Sequence, residues 1–261
     1  MERTYVITGA ASGIGAATSD LLKERGAKVI GIDIHGADIN ADLSTPAGRK
    51  GAVGSTIKLS GGSIDGVIPC AGLMRSTIQT VSVNFFGVTE FLTDLLPILK
   101  NSAAPRVAVP SSMASLLPNS PELVNAMLVG DEAGALAIAQ GLVDQGPEMA
   151  GLIYASTKRA ISRWVRRECI KPEWAGAGIP LNAVGPGIVK TPMVGKQIAT
   201  AESRATIDAM IPMPLNYYLE PRQVAYLLAW LTSEENTHIT GQTIYIDGGS
   251  DASIRGDNIW S

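Results

Sequence analysis

Tyr154 and Lys158 stand four positions apart at the start of a strongly helical stretch, Tyr154 to Ile170. Residues at i and i+4 share a helix face, so a phenol and an ammonium meet there. A phenol can give or take a proton, but a free tyrosine titrates near ~10, too high for a base at neutral pH. Bringing it near 7 requires about 4 kcal/mol of preference for phenolate. One cation about 5 Å away, at an effective dielectric near 20, supplies about 3 kcal/mol. With a second cation nearby, the pair could move a proton to or from a substrate oxygen. The alternative is an amphipathic helix that merely presents a surface tyrosine.

A second constellation lies at the start of the chain. Thr8-Gly9-Ala10-Ala11-Ser12-Gly13-Ile14-Gly15 follows the apolar run Tyr5-Val6-Ile7 and opens a helix from about Ala16 to Arg25. A dinucleotide pyrophosphate needs backbone N–H groups at a helix N-terminus, and side chains would block its approach. Three glycines alone could be a structural turn. The strand before, the helix after and an acid ending the next strand point to a dinucleotide site. That acid is Asp33, which can accept hydrogen bonds from both hydroxyls of an adenosine ribose; without the turn it would read as a solvated strand end or an N-cap. NADP carries a 2′-phosphate instead. Two like charges about 4 Å apart repel by about 4 kcal/mol at an effective dielectric near 20, nearly three decades of affinity. Ser12 and Ile34 are not basic and His35 is mostly neutral at pH 7, so NAD is expected over NADP. The oxidised nicotinamide ring is then the second cation beside Tyr154.

Short apolar runs that alternate with helical patterns must position these groups. Strands are expected at Lys28–Ile32, Gly66–Ile68, Arg106–Val109, Leu181–Val184 and Thr243–Ile246. Helices are expected at Thr45–Leu59, Gln79–Lys100 (interrupted by Gly87 and Pro97) and Gln223–Leu231. Such alternation predicts a single α/β domain, a parallel sheet with helices on both faces. Ligands then sit at the carboxyl ends of the strands.

The ordered set of motifs resembles the short-chain dehydrogenase/reductase family. Thr8-Gly9 through Gly13 and Gly15 is similar to its cofactor turn, and Cys70-Ala71-Gly72 to its Asn-Asn-Ala-Gly. Asn84 resembles its helix asparagine, Ser111-Ser112 its serine after a strand, and Tyr154-Ala-Ser-Thr-Lys158 its Tyr-X-X-X-Lys. Pro186-Gly187, with Ile188 and Thr191, resembles its nicotinamide-binding turn, and Ile246-Asp247-Gly248-Gly249 its last strand. The resemblance covers nearly the whole chain. It implies a Rossmann-type doubly wound sheet and an NAD-dependent oxidoreductase that interconverts an alcohol and a ketone. Within the family, Gly31-Ile32-Asp33-Ile34, Ala41-Asp42-Leu43-Ser44-Thr45 and a long insertion resemble the bacterial 3α-hydroxysteroid dehydrogenase/carbonyl reductases. In that likeness Asp42 and Leu43 frame the adenine. Tyr154 is the acid/base, and Lys158 assists it and holds the nicotinamide ribose. Ser112 polarises the substrate oxygen, with Ser111 second in line, and Asn84 supports a water chain from Lys158 to solvent. A cofactor-binding regulator without turnover, or an NADP-using reductase, are the alternatives; the retention of Asn84, Ser112, Tyr154 and Lys158 disfavours the first and Asp33 the second.

Ser112 and Tyr154 are 42 positions apart (154 − 112), far more than in most family members. Leu116 to Gly151 reads as an insertion, with Leu123, Met127, Leu136, Ala139 and Val143 at helical spacing and a break at Gly130–Gly134. It is expected to block an interface helix and to leave a dimer as the homo-oligomer. Thr191 to Leu219, rich in methionine and large apolar groups, is expected to be a substrate lid suited to a bulky apolar cyclic or steroid-like substrate; ordinary core packing is the alternative. Pro69 and Pro110 fall oddly near the ends of central strands. Cys70 is read as a small buried filler, and Arg163, Arg166 and Arg167 as a solvated or interface face, not a phosphate site. The 261 residues carry a net charge of −3, so nucleic acid is a poor partner. Two cysteines make no disulfide framework, and His35 and His238 are isolated, so no metal site is expected. No apolar run of about 18 residues suggests a membrane span, and Met1-Glu2-Arg3-Thr4 lacks a signal-peptide pattern; the expected location is the cytoplasm.

Overall fold

In the computed structural model, which describes residues 2–195 and 197–259, strands and helices alternate along the chain as the periodicity requires. β1 (Thr4–Thr8) leads to α1 (Gly13–Glu24), β2 (Lys28–Asp33), the two-residue β3 (Ile39–Asn40), α2 (Pro46–Ser60) and β4 (Gly66–Pro69). A helical run follows: α3 (Ile78–Val81), a π-helical turn at Ser82–Phe86, and α4 (Gly87–Leu99). β5 (Arg106–Pro110) precedes a 3-10 turn at Met113–Leu116. The inserted segment forms α5 (Pro121–Leu128), α6 (Glu132–Asp144) and α7 (Pro147–Ala150) before α8 (Leu152–Glu168). β6 (Leu181–Pro186), α9 (Ala201–Met210), α10 (Pro221–Leu231), β7 (Thr243–Ile246) and α11 (Ser250–Arg255) complete the described elements.

The strands form one sheet in the order β3-β2-β1-β4-β5-β6-β7, and every pairing is parallel. This is the Rossmann-type doubly wound arrangement. Alternation along β1 shows how both faces are covered. Val6 joins a core with Ile30, Phe91, Leu95, Val107 and Trp164, on the side of α2, α4 and α8. Tyr5 and Ile7 join the opposite core with Leu21, Ile68, Val224 and Leu228, on the side of α1 and α10.

The helical run Ile78–Leu99 does not break at Gly87 or Pro97, as the sequence had suggested. Gly87 follows a π-helical turn that carries the chain through, and Pro97 lies in the last turn of α4. Its 22 residues are long and apolar enough to cross a membrane, contrary to the expectation that no run would be. Most of its apolar stretch is buried inside the protein, so its apolar character is that of a core helix.

Both unusual prolines have a physical account. With Thr8 opposite Pro69, the bond from Cys70 N–H to Thr8 O, at 3.0 Å, is the regular ladder bond to β1. The nitrogen of Pro69 therefore faces β5, where the pairing stops at Val67–Val107. In β5, Arg106 N bonds Asp65 O on the β4 side, whereas Ser111 N bonds Val184 O on the β6 side. Alternation therefore turns the nitrogen of Pro110 toward β4. The β4–β5 ladder has already stopped at Val67–Val107, so no ladder donor is lost.

The insertion is part of the core. Leu123, Met127 and Ala139 are fully buried; Leu136 and Val143 are only partly so. The break is shorter than expected, because Asp131 caps α6 by accepting from Gly134 N at 2.9 Å, which places Gly134 inside the helix. The basic stretch on α8 has work there as well: Arg167 Nη1 bonds Leu128 O at 3.1 Å and Arg163 Nη1 bonds Asn125 Oδ1 at 3.5 Å. Arg163 and Arg167 thus tie α8 to α5, while Arg166 Nη1 reaches Gly241 O at 3.4 Å.

Candidate active site

At the carboxyl ends of β1, β2 and β4 a groove of about 740 Å³ opens. Of the residues expected to bind a cofactor, Gly9, Ser12, Gly13, Ile14, Gly15, Asp33, Asp42, Leu43, Cys70, Ala71, Gly72 and Thr191 all line it. Gly9 has φ +67°, and a Cβ there would sit 2.7 Å from Ala71 N. At Gly15 a Cβ would overlap the Gly9 carbonyl. The turn thus needs glycine to lie flat against the 70–72 loop, and Ala71 N–H is bonded to Thr8 Oγ1 at 3.0 Å. Ser12 places no side-chain cap on α1, so the N-terminal N–H groups of that helix have no protein side chain bonded to them there.

Asp33 stands at the mouth of β2. Its carboxylate accepts from Ala11 N at 3.0 Å and from Ile34 N at 2.7 Å. A carboxylate offers about four acceptor positions, which leaves two for a ribose diol. Ala41, Asp42, Leu43 and Ser44 form the adjoining wall. These features fit a dinucleotide: a side-chain-free turn for pyrophosphate, an acid for ribose and a wall that mixes apolar Ala41 and Leu43 with polar Asp42 and Ser44. The groove also takes in residues the sequence did not single out, among them Leu73, Arg75, Thr77, Gln79 and Val83. Their contribution depends on the path of the 70–79 loop, for which the sequence carries no signal.

Beyond Cys70 lie the residues with proton chemistry. Lys158 Nζ is 5.8 Å from the centre of the Tyr154 ring and donates to Pro110 O at 3.0 Å. Burial pushes Lys158 down to about 8, partly offset by the neighbouring Cys70. Burial also raises Tyr154 above the ordinary phenol value, while a hydrogen bond with Ser112 pulls it back. The sequence reading had Lys158 lowering Tyr154. In the structure burial dominates, because the ammonium lies over the ring and is turned to the Pro110 carbonyl. Ser112 and Tyr154 do meet, despite the 42 positions between them.

Ser111 and Ser112 have different tasks. The Ser111 hydroxyl is engaged with Lys158 O at 3.0 Å and with Ser162 Oγ at 2.8 Å, which fastens β5 to α8. Ser112 caps the 3-10 turn, accepting from Ala114 N at 3.1 Å, which leaves its one hydroxyl hydrogen for Tyr154 or for a substrate oxygen. Asn84, in the π-helical turn, accepts from Leu73 N at 2.7 Å and donates to Leu73 O at 2.8 Å and to Thr157 Oγ1 at 3.2 Å. Its amide is thus committed to holding the 70–73 loop against α8. Both amide hydrogens are taken, so a water at this side chain would be held by the second lone pair of Oδ1.

Pro186, Gly187 and Ile188 do not line the groove; they carry the chain from β6 to Thr191, which does. Gly187 passes so close to β7 that a Cβ would lie 2.9 Å from Asp247 Cα. Cys70 is half-buried and lines the groove, and burial pushes its thiol up to about 12, so it is protonated at neutral pH and a poor nucleophile. Among the described residues no cluster could hold a metal ion.

A family model described as enoyl-(acyl carrier protein) reductase matches residues 9–251. The 3-alpha-hydroxysteroid dehydrogenase/carbonyl reductase of Comamonas testosteroni is 38% identical over 255 residues, covering 96% of this chain and 97% of its own. The chain belongs to the short-chain dehydrogenase/reductase family. It is an oxidoreductase related to hydroxysteroid dehydrogenase/carbonyl reductases, whose substrates are small alcohols and ketones. A crystal structure of the 3-alpha-hydroxysteroid dehydrogenase from Pseudomonas sp. B-0831 complexed with NADH superposes with a TM-score of 0.89 at 39% identity, covering 98% of this chain and 100% of that one. The cis-4-hydroxycyclohexanecarboxylate dehydrogenase of Sinomonas cyclohexanicum is 29% identical, covering 95% and 96%. These similarities support a nicotinamide cofactor for this family member.

Proposed function

We propose that this short-chain dehydrogenase/reductase uses NAD(H) to interconvert a secondary alcohol and a ketone of bulky, apolar, cyclic or steroid-like shape, with Tyr154 as acid/base. The observation that carries the reading is the meeting of Ser112, Tyr154 and Lys158 beside Cys70, where the groove that begins at Asp33 ends. NAD(H) would take hydride from, or give it to, the carbinol carbon. Tyr154 gives the carbonyl oxygen its proton in reduction and removes it in oxidation. Ser112 donates a hydrogen bond to the same oxygen. Lys158 stabilises phenolate once positive charge gathers at the site, and holds a ribose hydroxyl. Pro186, Gly187 and Ile188 set the course of the chain to Thr191 on the nicotinamide side. Asp33, which has no basic side chain bonded to it, favours NAD over NADP.

The substrate class rests on two supports. One is the similarity to a hydroxysteroid dehydrogenase/carbonyl reductase. The other is the 191–219 segment, where Met193, Met210, Leu215 and Tyr217 are exposed and α9 buries no residue. Of the segment's large apolar groups Leu219 alone joins the core, and an exposed apolar segment suits a lid. Lys196 lies outside the described residues. We assign the chain a dimeric state, because α5 and α6 of the insertion pack on α8 and α3 and so cover helices that a further copy would need.

The test is nicotinamide absorbance with NADH and NADPH against a panel of steroid and small cyclic ketones, with Tyr154→Phe alongside. Turnover with NADH that falls at least ~10³-fold in the variant is expected. Preference for NADPH would overturn the Asp33 argument. Undiminished turnover in the variant would remove Tyr154 from its role.

A further inference from the structure

Arg49 is 1% exposed although it lies on α2 among solvated lysines. Its guanidinium is held from three sides. Glu132, the first residue of α6 in the insertion, takes it at both ends: Nη2 to Oε2 at 2.6 Å and Nη1 to Oε1 at 3.2 Å. Glu90 on α4 lies 2.7 Å from Nε but off the N–H axis, so Nε makes no well-directed hydrogen bond. The third contact is Nη1 to Leu43 O at 3.4 Å. Leu43 is in the groove wall 41–44.

The Leu43 side chain is buried in the core on the α2 and α4 side, and Asp42 accepts from Ser44 N at 2.9 Å and from Thr45 N at 3.3 Å. Among the described residues, Arg49 is the one charged group from outside this wall that bonds its backbone. At one end Ala41 N bonds Asp33 O at 2.9 Å, just after the two-residue edge strand β3. At the other end Thr45 caps α2 by accepting from Gly48 N at 3.0 Å. Between them Leu43 is seated against Gly87 of α4, where a Cβ would lie 3.1 Å from Leu43 O. A buried guanidinium must keep its charged partners. If Glu132 lost its charge, Glu90 would remain, and aligning Nε with that carboxylate would rotate the fork and draw Nη1 away from Leu43 O.

We propose that Glu132, acting through Arg49, is a positioning residue for the dinucleotide groove: the insertion holds the wall beside Asp33. The inference rests on the reading of that groove as a dinucleotide site. Glu132 is 22% exposed at its side chain and Glu90 46%, so neutral variants of either are tolerated by the fold. The two differ in consequence. Glu132→Gln breaks the fork, whereas Glu90→Gln leaves it seated on Glu132.

NADH affinity, read by fluorescence titration, is expected to fall about tenfold in Glu132→Gln and by no more than about twofold in Glu90→Gln. In Glu132→Gln the ketone KM and the kcat at saturating NADH stay within about twofold of wild type. Amide hydrogen exchange of residues 41–45, measured without any nucleotide, is expected to quicken in Glu132→Gln alone. Wild-type NADH affinity in Glu132→Gln, or an equal loss in both variants, would overturn the proposal. So would a drop in melting temperature with unchanged exchange at 41–45. Failure of the wild-type protein to bind either dinucleotide would instead sink the cofactor reading, and the exchange measurement would still decide whether Glu132 holds the wall.

Discussion

Replacing Asp33 with asparagine separates the charge of this residue from its shape. The carboxylate accepts from Ala11 N and Ile34 N, and an asparagine oxygen can keep one of those bonds, so the turn should stand. What disappears is the negative charge that a 2′-phosphate would meet. At about 4 Å and an effective dielectric near 20 the repulsion is about 4 kcal/mol. Asp33 is only half-buried, and solvent and salt screen such a pair, so about half of that should be realised. About 2 kcal/mol corresponds to roughly 30-fold. The assay is kcat/KM for NADPH and for NADH with one ketone at fixed ionic strength, in wild type and Asp33→Asn. The NADPH-to-NADH ratio should rise roughly 30-fold, and NADH itself should weaken because the amide offers the ribose fewer acceptors. The effect should shrink as salt is added. A ratio that moves less than about threefold would refute the electrostatic basis of the preference and place the selectivity elsewhere in the groove.

Two further outcomes follow from the site and the insertion. Burial holds Lys158 down at about 8 from an ordinary 10.5; between those values the unfolded chain binds a proton the folded one does not, so this group makes stability rise with pH, by up to about 3 kcal/mol. Above about 9 the raised Cys70 thiol works in the opposite direction, so the difference between wild type and Lys158→Met isolates the lysine: urea melts should show the variant ahead at pH 7 and the gap closing by pH 10, and a pH-independent gap would refute the assignment. Light scattering should give the mass of a dimer, and a stable tetramer would show that the insertion does not close the α8 face.

Much of the candidate site was legible in the sequence because it depends on local rules. Glycines at 9, 13 and 15 between a strand and a helix, an acid at the end of the next strand, and a tyrosine four residues before a lysine each express a short-range geometric need. Those residues do line one groove or gather at its end. The apolar alternation likewise supplied the layers and the parallel sheet. Pro69 and Pro110 could not be understood from the sequence, because their effect depends on which neighbour each nitrogen faces.

Only tertiary structure decided the electrostatics and the long-range joins. Spacing predicted that Lys158 would lower Tyr154, but burial of both groups reverses the balance, and burial is a property of the whole packed core. Asn84 also ties the 70–73 loop to α8 through Leu73 and Thr157, a join its sequence position did not reveal. The pairing of Arg49 with Glu132 spans 83 positions. Nothing in a one-dimensional pattern distinguishes that buried arginine from the solvated lysine beside it. The sequence alone determined which groups were available and which secondary structures would carry them. Their protonation, their orientation and the insertion's hold on the groove wall arise from contacts between elements distant in the chain, where desolvation and geometry are set by the fold.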